Sequence, residues 1–214
     1  MEPITIIFAS IAGISVAGYV LYKKKNDLSS QDNAAEIKKI IEEIDPVNNS
    51  KFKVAYAFTK TDNPPDVKLK EIIDTAKKSL DIAMYTFTDK GILNRVLHAT
   101  NRGVKVRLIT DKAQTKNANG QYSLIQSLAR AGIPVKVNNH QGYMHLKILI
   151  ADNDKIVTGS YNYTNKAKSS HDEVIVILED NHIAQKWTDQ FNRMWNDENN
   201  FREFIGRDSF TNAS

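Results

Sequence analysis

Residues 4–22 form an almost unbroken apolar run without a charged side chain, and Lys23, Lys24 and Lys25 follow at once. The run is close to the ~20 residues that a bilayer-spanning helix needs. It predicts a membrane anchor over residues 1–25. A cleaved signal peptide carries its positive charge before the apolar stretch; here it comes after. The positive-inside rule then predicts a single pass, with the N-terminus outside and everything behind the lysines cytoplasmic. Ala9, Gly13 and Ala17 make a small-residue stripe. Such a stripe suits close pairing of membrane helices but is also common in unpaired ones. Residues 26–50 are polar and read as a linker. Within it Ile37, Ile40, Ile41 and Ile44 have helical spacing, and Asp45-Pro46 ends the pattern.

From residue 51 to about 200 the periodicity alternates between two and 3.6 residues. Strands are expected over 52–59, 80–88, 104–110, 133–137, 144–152, 155–158 and 173–178. Helices are expected over 66–78, 90–102, 122–131 and 183–195. Residues 112–119 are polar and read as a loop, and 201–214 as a C-terminal tail. Strands alternating with helices, plus one hairpin, predict an α/β domain with a mixed β-sheet flanked by helices on both faces.

The run from Met144 to Asp152 changes the picture, because it is apolar and β-branched yet holds His145 and Lys147. Alternate strand residues share a face. His145 and Lys147 therefore point one way and Leu146, Ile148 and Ile150 the other. The cluster Gly159-Ser160-Tyr161-Asn162 follows closely. Net charge is +4 and the pI about 9.0, which suits a polyanionic partner and equally suits simple solubility. The chain has no cysteine, which excludes disulfides, thiolate chemistry and cysteine-based zinc sites.

The pattern made by His145, Lys147, Asp152, Gly159, Ser160 and Asn162 resembles the phospholipase D superfamily. The motif occurs once, as in the small single-motif branch that includes compact bacterial endonucleases and the mitochondrial phospholipase D and Zucchini proteins. Zinc-binding members of the mitochondrial group carry a cysteine-containing insert, which this chain lacks. The resemblance implies a phospholipase D-like fold and phosphodiester cleavage without metal or cofactor. In-line displacement needs a nucleophile on one side of phosphorus and an acid on the other. One imidazole cannot serve both sides, so a homodimer that pools two copies of His145 is expected, as the family resemblance also implies. Lys147 then holds the phosphoryl oxygens, and Ser160 and Asn162 donate hydrogen bonds. Glu173 stands at the interval where small relatives carry a carboxylate that orients the histidine. Asp152 belongs to the motif, but its place at a hairpin turn suggests a structural role.

Other candidates carry plainer readings. His171 is expected in a loop, and His98, His140 and His182 on the surface. Asp111 ends a strand and reads as a cap or turn. Tyr143, Tyr161 and Tyr163 flank the motif and either stack on bases or pack the rim. The leading expectation is a membrane-anchored endonuclease on DNA or RNA, with single strands favoured as the nucleic-acid substrate. A phospholipase acting on an anionic phospholipid such as cardiolipin is the alternative, and a non-catalytic nucleic-acid-binding membrane scaffold is the third reading.

Overall fold

The computed structural model describes residues 52–117 and 120–206, with the side chain of residue 117 excluded. These belong to the compact unit Phe52–Ser214. The expected anchor and linker helix lie outside the described residues. Among the described residues no helix is long and apolar enough to cross a membrane.

The elements are β1 (Lys53–Phe58), α1 (Pro65–Thr75), β2 (Ser79–Met84), α2 (Lys90–Asn101), β3 (Lys105–Thr110), α3 (Lys112–Asn117) and α4 (Gln121–Arg130). They continue as β4 (Val135–Asn138), β5 (Lys147–Ala151), β6 (Lys155–Gly159), α5 (Asn165–Ser169), β7 (Val174–Glu179), α6 (Asn181–Asn196) and β8 (Phe201–Glu203). All eight strands join one sheet in the order β1-β7-β6-β5-β2-β3-β4-β8. β2, β3 and β4 run parallel, and every other neighbouring pair is antiparallel.

Helices cover both faces, as the alternation implied. Leu69 and Ile73 of α1, Ile92 and Val96 of α2, and Leu124 and Ile125 of α4 pack on one face against Leu80, Ile82, Leu108, Leu149 and Val157. On the other face Phe191 of α6 meets Ala83, Ile109 and Ile150. β2 is therefore buried from both sides and reads as a continuous apolar run. Its one charge, Asp81, is matched by a bidentate Arg107 at 2.7 and 2.8 Å. Arg107 in turn lies 4.9 Å from the ring centroid of Phe191.

Three local expectations change. Residues 112–117 form a helix rather than a loop. Asp111 starts it by accepting the Gln114 N–H at 2.8 Å, an N-cap bond that a polar, weakly periodic segment does not advertise. The strand expected to run to residue 88 ends at Met84, and the chain then turns across the sheet end to pair Phe87 with Tyr163. Phe201–Glu203, inside the expected tail, forms β8 against β4.

The topology gathers one edge of the sheet. β2, β3 and β4 end there at Met84, Thr110 and Asn138. β5 starts there, since Met84 pairs with Lys147. β6 ends there and β7 starts there, since Gly159 pairs with Ile175. Every motif residue but one emerges at this edge.

Candidate active site

β5 begins at Lys147, so His145 stands just before the strand while keeping its phase. The Lys147 ammonium donates to the His145 carbonyl at 2.9 Å and lies 3.4 and 3.5 Å from its Nδ1 and Nε2. Leu149 and Ala151, in phase with Lys147, join the larger core, whereas Ile148 and Ile150 face α6. The predicted sharing of a face therefore holds. His145 is exposed, so its imidazole is open to a substrate.

The backbone around His145 is fixed on both sides. The Met144 N–H donates to Asp111 Oδ2 at 2.9 Å. The Tyr85 N–H donates to the Leu146 carbonyl at 2.9 Å. The Tyr85 ring also lies against the imidazole, centroid to centroid 4.4 Å, and the Lys147 Nζ sits 5.1 Å from that ring. Gln114 Nε2 donates to the Tyr85 hydroxyl at 2.8 Å. Burial, with smaller contributions from the Asp111 and Tyr143 charges, pushes the Tyr85 hydroxyl above the usual tyrosine range. It remains a neutral phenol.

Gly159 ends β6 where two backbones nearly touch. A Cβ there would stand 2.1 Å from the Val174 carbonyl oxygen, so only glycine permits the pairing. The pairing continues as Ser160 N–H donates to the Val174 carbonyl at 3.0 Å. The Ser160 hydroxyl accepts the Val174 N–H at 3.2 Å, leaving its own proton to donate outward. Asn162 follows, and its Oδ1 is buried with no hydrogen-bond partner among the described residues. Unmet polar groups of this kind are rare in cores and are commoner where function needs them.

Behind this loop lies a buried clasp. Asp66, 2 % exposed, receives Lys70 at 2.9 Å and Lys168 of α5 at 2.8 Å. Burial opposes ionisation of Asp66, but the two ammonium groups outweigh it and hold the carboxyl below the usual range. The clasp thus fastens α5, and with it the Asn162 loop, to α1.

Glu173 precedes β7. Its N–H donates to Thr59 Oγ1 at 2.9 Å, and its carboxylate pairs with His171 Nδ1 at 3.6 Å. Burial drives the Lys147 ammonium below the usual lysine range, and the Glu173 carboxylate opposes that drop. Glu173 therefore acts on the site through Lys147 and His171, whereas the expectation was an orienting bond to His145.

A profile for the cardiolipin synthase, PLD-like domain matches residues 69–195, more than half of the chain. The chain belongs to the phospholipase D-like family. The "Phospholipase D" of Rickettsia conorii is 34% identical over 141 residues, 64% of this chain and 67% of that protein. The "Mitochondrial cardiolipin hydrolase" of Chlamydomonas reinhardtii is 33% identical over 125 residues, 58% of this chain and 55% of that protein. The chain thus matches about half to two thirds of the length of these curated relatives. The fold is similar to that of the phospholipase D family member Nuc from Salmonella typhimurium, with a TM-score of 0.65 and 25% identity over 72% of this chain and 98% of that one.

Within the phospholipase D-like motif, His145, Lys147, Ser160, Asn162 and Glu173 come together at one sheet edge. Asp152 does not. It stands at the opposite end of β5, roughly 17 Å from Lys147 at ~3.4 Å per residue. Its carboxylate accepts the N–H groups of Lys77, Lys78 and Ser79 at 2.6 to 3.1 Å. Its carboxylate is thus committed to backbone groups at the far end of the strand, away from His145 and Lys147. Tyr161 and Tyr163 are buried in the core, which rules out base stacking by either. Tyr143 is 64% exposed. Asp111 is the cap expected of it. Tyr85 and Gln114 were not anticipated. The signal for Tyr85 was the register of β2 on β5, which pattern alone does not give.

Proposed function

We propose that the chain is a metal-independent phosphodiesterase, a membrane-anchored endonuclease that cleaves DNA or RNA in a homodimeric site. The observation that carries this reading is the exposed His145 imidazole, one per chain, seated beside the Lys147 ammonium. His145 of one chain attacks phosphorus, forming an N–P bond as the P–O bond to the leaving group breaks. The imidazolium of the other His145 gives its proton to the leaving oxygen. Now neutral, it takes a proton from water, whose oxygen bonds to phosphorus and displaces the first His145 as the N–P bond breaks. Lys147 and the Ser160 hydroxyl stabilise charge on the non-bridging oxygens throughout.

The sheet also leaves an apolar face exposed. On edge strand β1, Val54, Tyr56 and Phe58 are 53%, 70% and 52% exposed on one face. They sit in register with Leu178, Val176 and Val174 of β7. The same face continues through Ile148 to Leu146, which stands between the two catalytic side chains. An apolar surface left exposed in this way is a candidate interaction site, and it lies on the sheet face opposite the one that His145 and Lys147 share.

Hydrolysis of an anionic phospholipid such as cardiolipin is the second reading. It is favoured by the names of the two relatives and by the expected anchor over residues 1–25, which would hold the catalytic domain at the cytoplasmic side of a membrane. The deciding experiment incubates the full-length chain in detergent with single-stranded DNA, RNA or cardiolipin vesicles, with EDTA throughout. Cleavage of nucleic acid in chelator supports the nuclease, and turnover of lipid alone replaces it with the phospholipase. His145→Asn is expected to abolish turnover while leaving the thermal midpoint in place. Surviving turnover would remove His145 as nucleophile.

A further inference from the structure

Tyr143 is a large aromatic side chain, mostly exposed, two residues before the nucleophile. Exposed tyrosines are ordinarily loose, but this one is held. On one side, the Gly142 carbonyl accepts Asn138 Nδ2 at 3.2 Å. On the other, the Met144 N–H is bonded to the buried Asp111 carboxylate. Its ring meets Tyr85 edge to face, with centroids 5.8 Å apart and planes at 70°, and Tyr85 is itself tied to Gln114. Gly142 has φ +87°, a turn conformation that sets the direction in which Tyr143 leaves the loop.

The same Asn138 organises positive charge. Its Oδ1 accepts the Lys112 N–H at 2.7 Å, which places the start of α3 beside the Tyr143 loop. Lys116 is one turn further along α3, and among the described residues no carboxylate pairs with either lysine. Arg202 joins this side, since β8 pairs it with Val137 next to Asn138. Burial pushes the Lys112 ammonium below the usual lysine range, and the charges of Arg202 and Lys116 push the same way. An added phosphate would relieve that crowding. In the strand order, Tyr143 and the lysines lie on the β2–β4 side of His145, away from the exposed apolar face of β1.

We infer that Tyr143 is a stacking platform for an unpaired nucleobase next to the scissile phosphate, with Lys112 and Lys116 taking the neighbouring backbone phosphate. The inference rests on the nuclease reading and deepens it. A base within a duplex has no free face for the ring, so the subsite selects single strands. Stacking is indifferent to base identity, because every base offers a π-face.

The test uses the full-length chain in detergent with EDTA and a single-stranded oligonucleotide. Tyr143→Ala is expected to raise KM about tenfold, with the loss falling on KM rather than kcat. Tyr143→Phe, which keeps the ring, should restore the wild-type KM. An abasic nucleotide beside the cleaved bond should cost the wild type as much as Tyr143→Ala does, and cost the variant nothing further. Exchanging both Lys112 and Lys116 for Gln should flatten the slope of log KM against log salt by about 0.7, the value for one phosphate on a single strand. A Tyr143→Ala protein that cuts the oligonucleotide with an unchanged KM overturns the inference and leaves the nuclease standing. A wild type that spares nucleic acid and hydrolyses anionic vesicles overturns both.

Discussion

At the scale of single residues, Lys147 shows function set against stability. Burial holds its ammonium below the usual lysine range, so the folded state disfavours the charged form. The folded protein then binds fewer protons than the unfolded one at alkaline pH, and stability rises with pH through that window. At neutral pH the cost of the charge is fully present. Lys147→Met is therefore expected to lower kcat by about a hundredfold or more without lowering the thermal midpoint. A clear fall in that midpoint would make Lys147 a structural residue. The pairing of His145 with Lys147 was legible beforehand because strand phase is rigid and the run around them is apolar. Tyr85 was not, because it reaches the imidazole through the pairing of Met84 with Lys147, a contact between strands far apart in the chain. Glu173 reaches the same edge and within the chain pairs with His171, since spacing locates a carboxylate without choosing which side chain it meets.

At the scale of elements, the β5–β6 hairpin is secured at its far end by Asp152. Burial opposes its ionisation, but the N–H groups of Ser79, Lys77 and Lys78 outweigh burial and depress the carboxyl below the usual range. Such a group contributes stability above its unfolded pKa, near 3.9. That contribution is lost as pH falls through the lower folded value. Asp152→Asn tolerates the left-handed backbone at φ +55° but gives up the charge. It should cost about 1–2 kcal/mol at neutral pH, with the gap to wild type closing below about pH 4. Denaturant melts across pH check this, and a gap that persists in acid would refute the linkage. Two elements escaped the sequence for physical reasons. α3 is short and polar, and its cap is its chief local support. β8 has three residues, whose partner β4 lies far upstream, so neither length nor period announced it.

For the whole molecule, the test is whether two chains share one chemistry. Equimolar mixing and reassociation of wild type with His145→Asn leaves about one quarter of dimers with two intact imidazoles. Activity should then fall to about half of what the same wild-type chains give alone. Undiminished activity would mean that each chain works by itself. The layered fold was readable from alternating periods, but the face left open on β1 was not. Its Val54, Tyr56 and Phe58 look like an ordinary buried strand until the strand order puts them at the sheet margin.

The Asp66 clasp has one more implication. Two ammonium groups converge on a carboxylate that solvent scarcely reaches, and they rivet a short helix to its neighbour directly behind the asparagine of the motif. A rim fixed in that way cannot swing open like a door. On the phosphodiesterase reading, the groups that would meet a phosphate are set in position before anything arrives, and admission is decided by what fits the opening rather than by a step that the protein must first take.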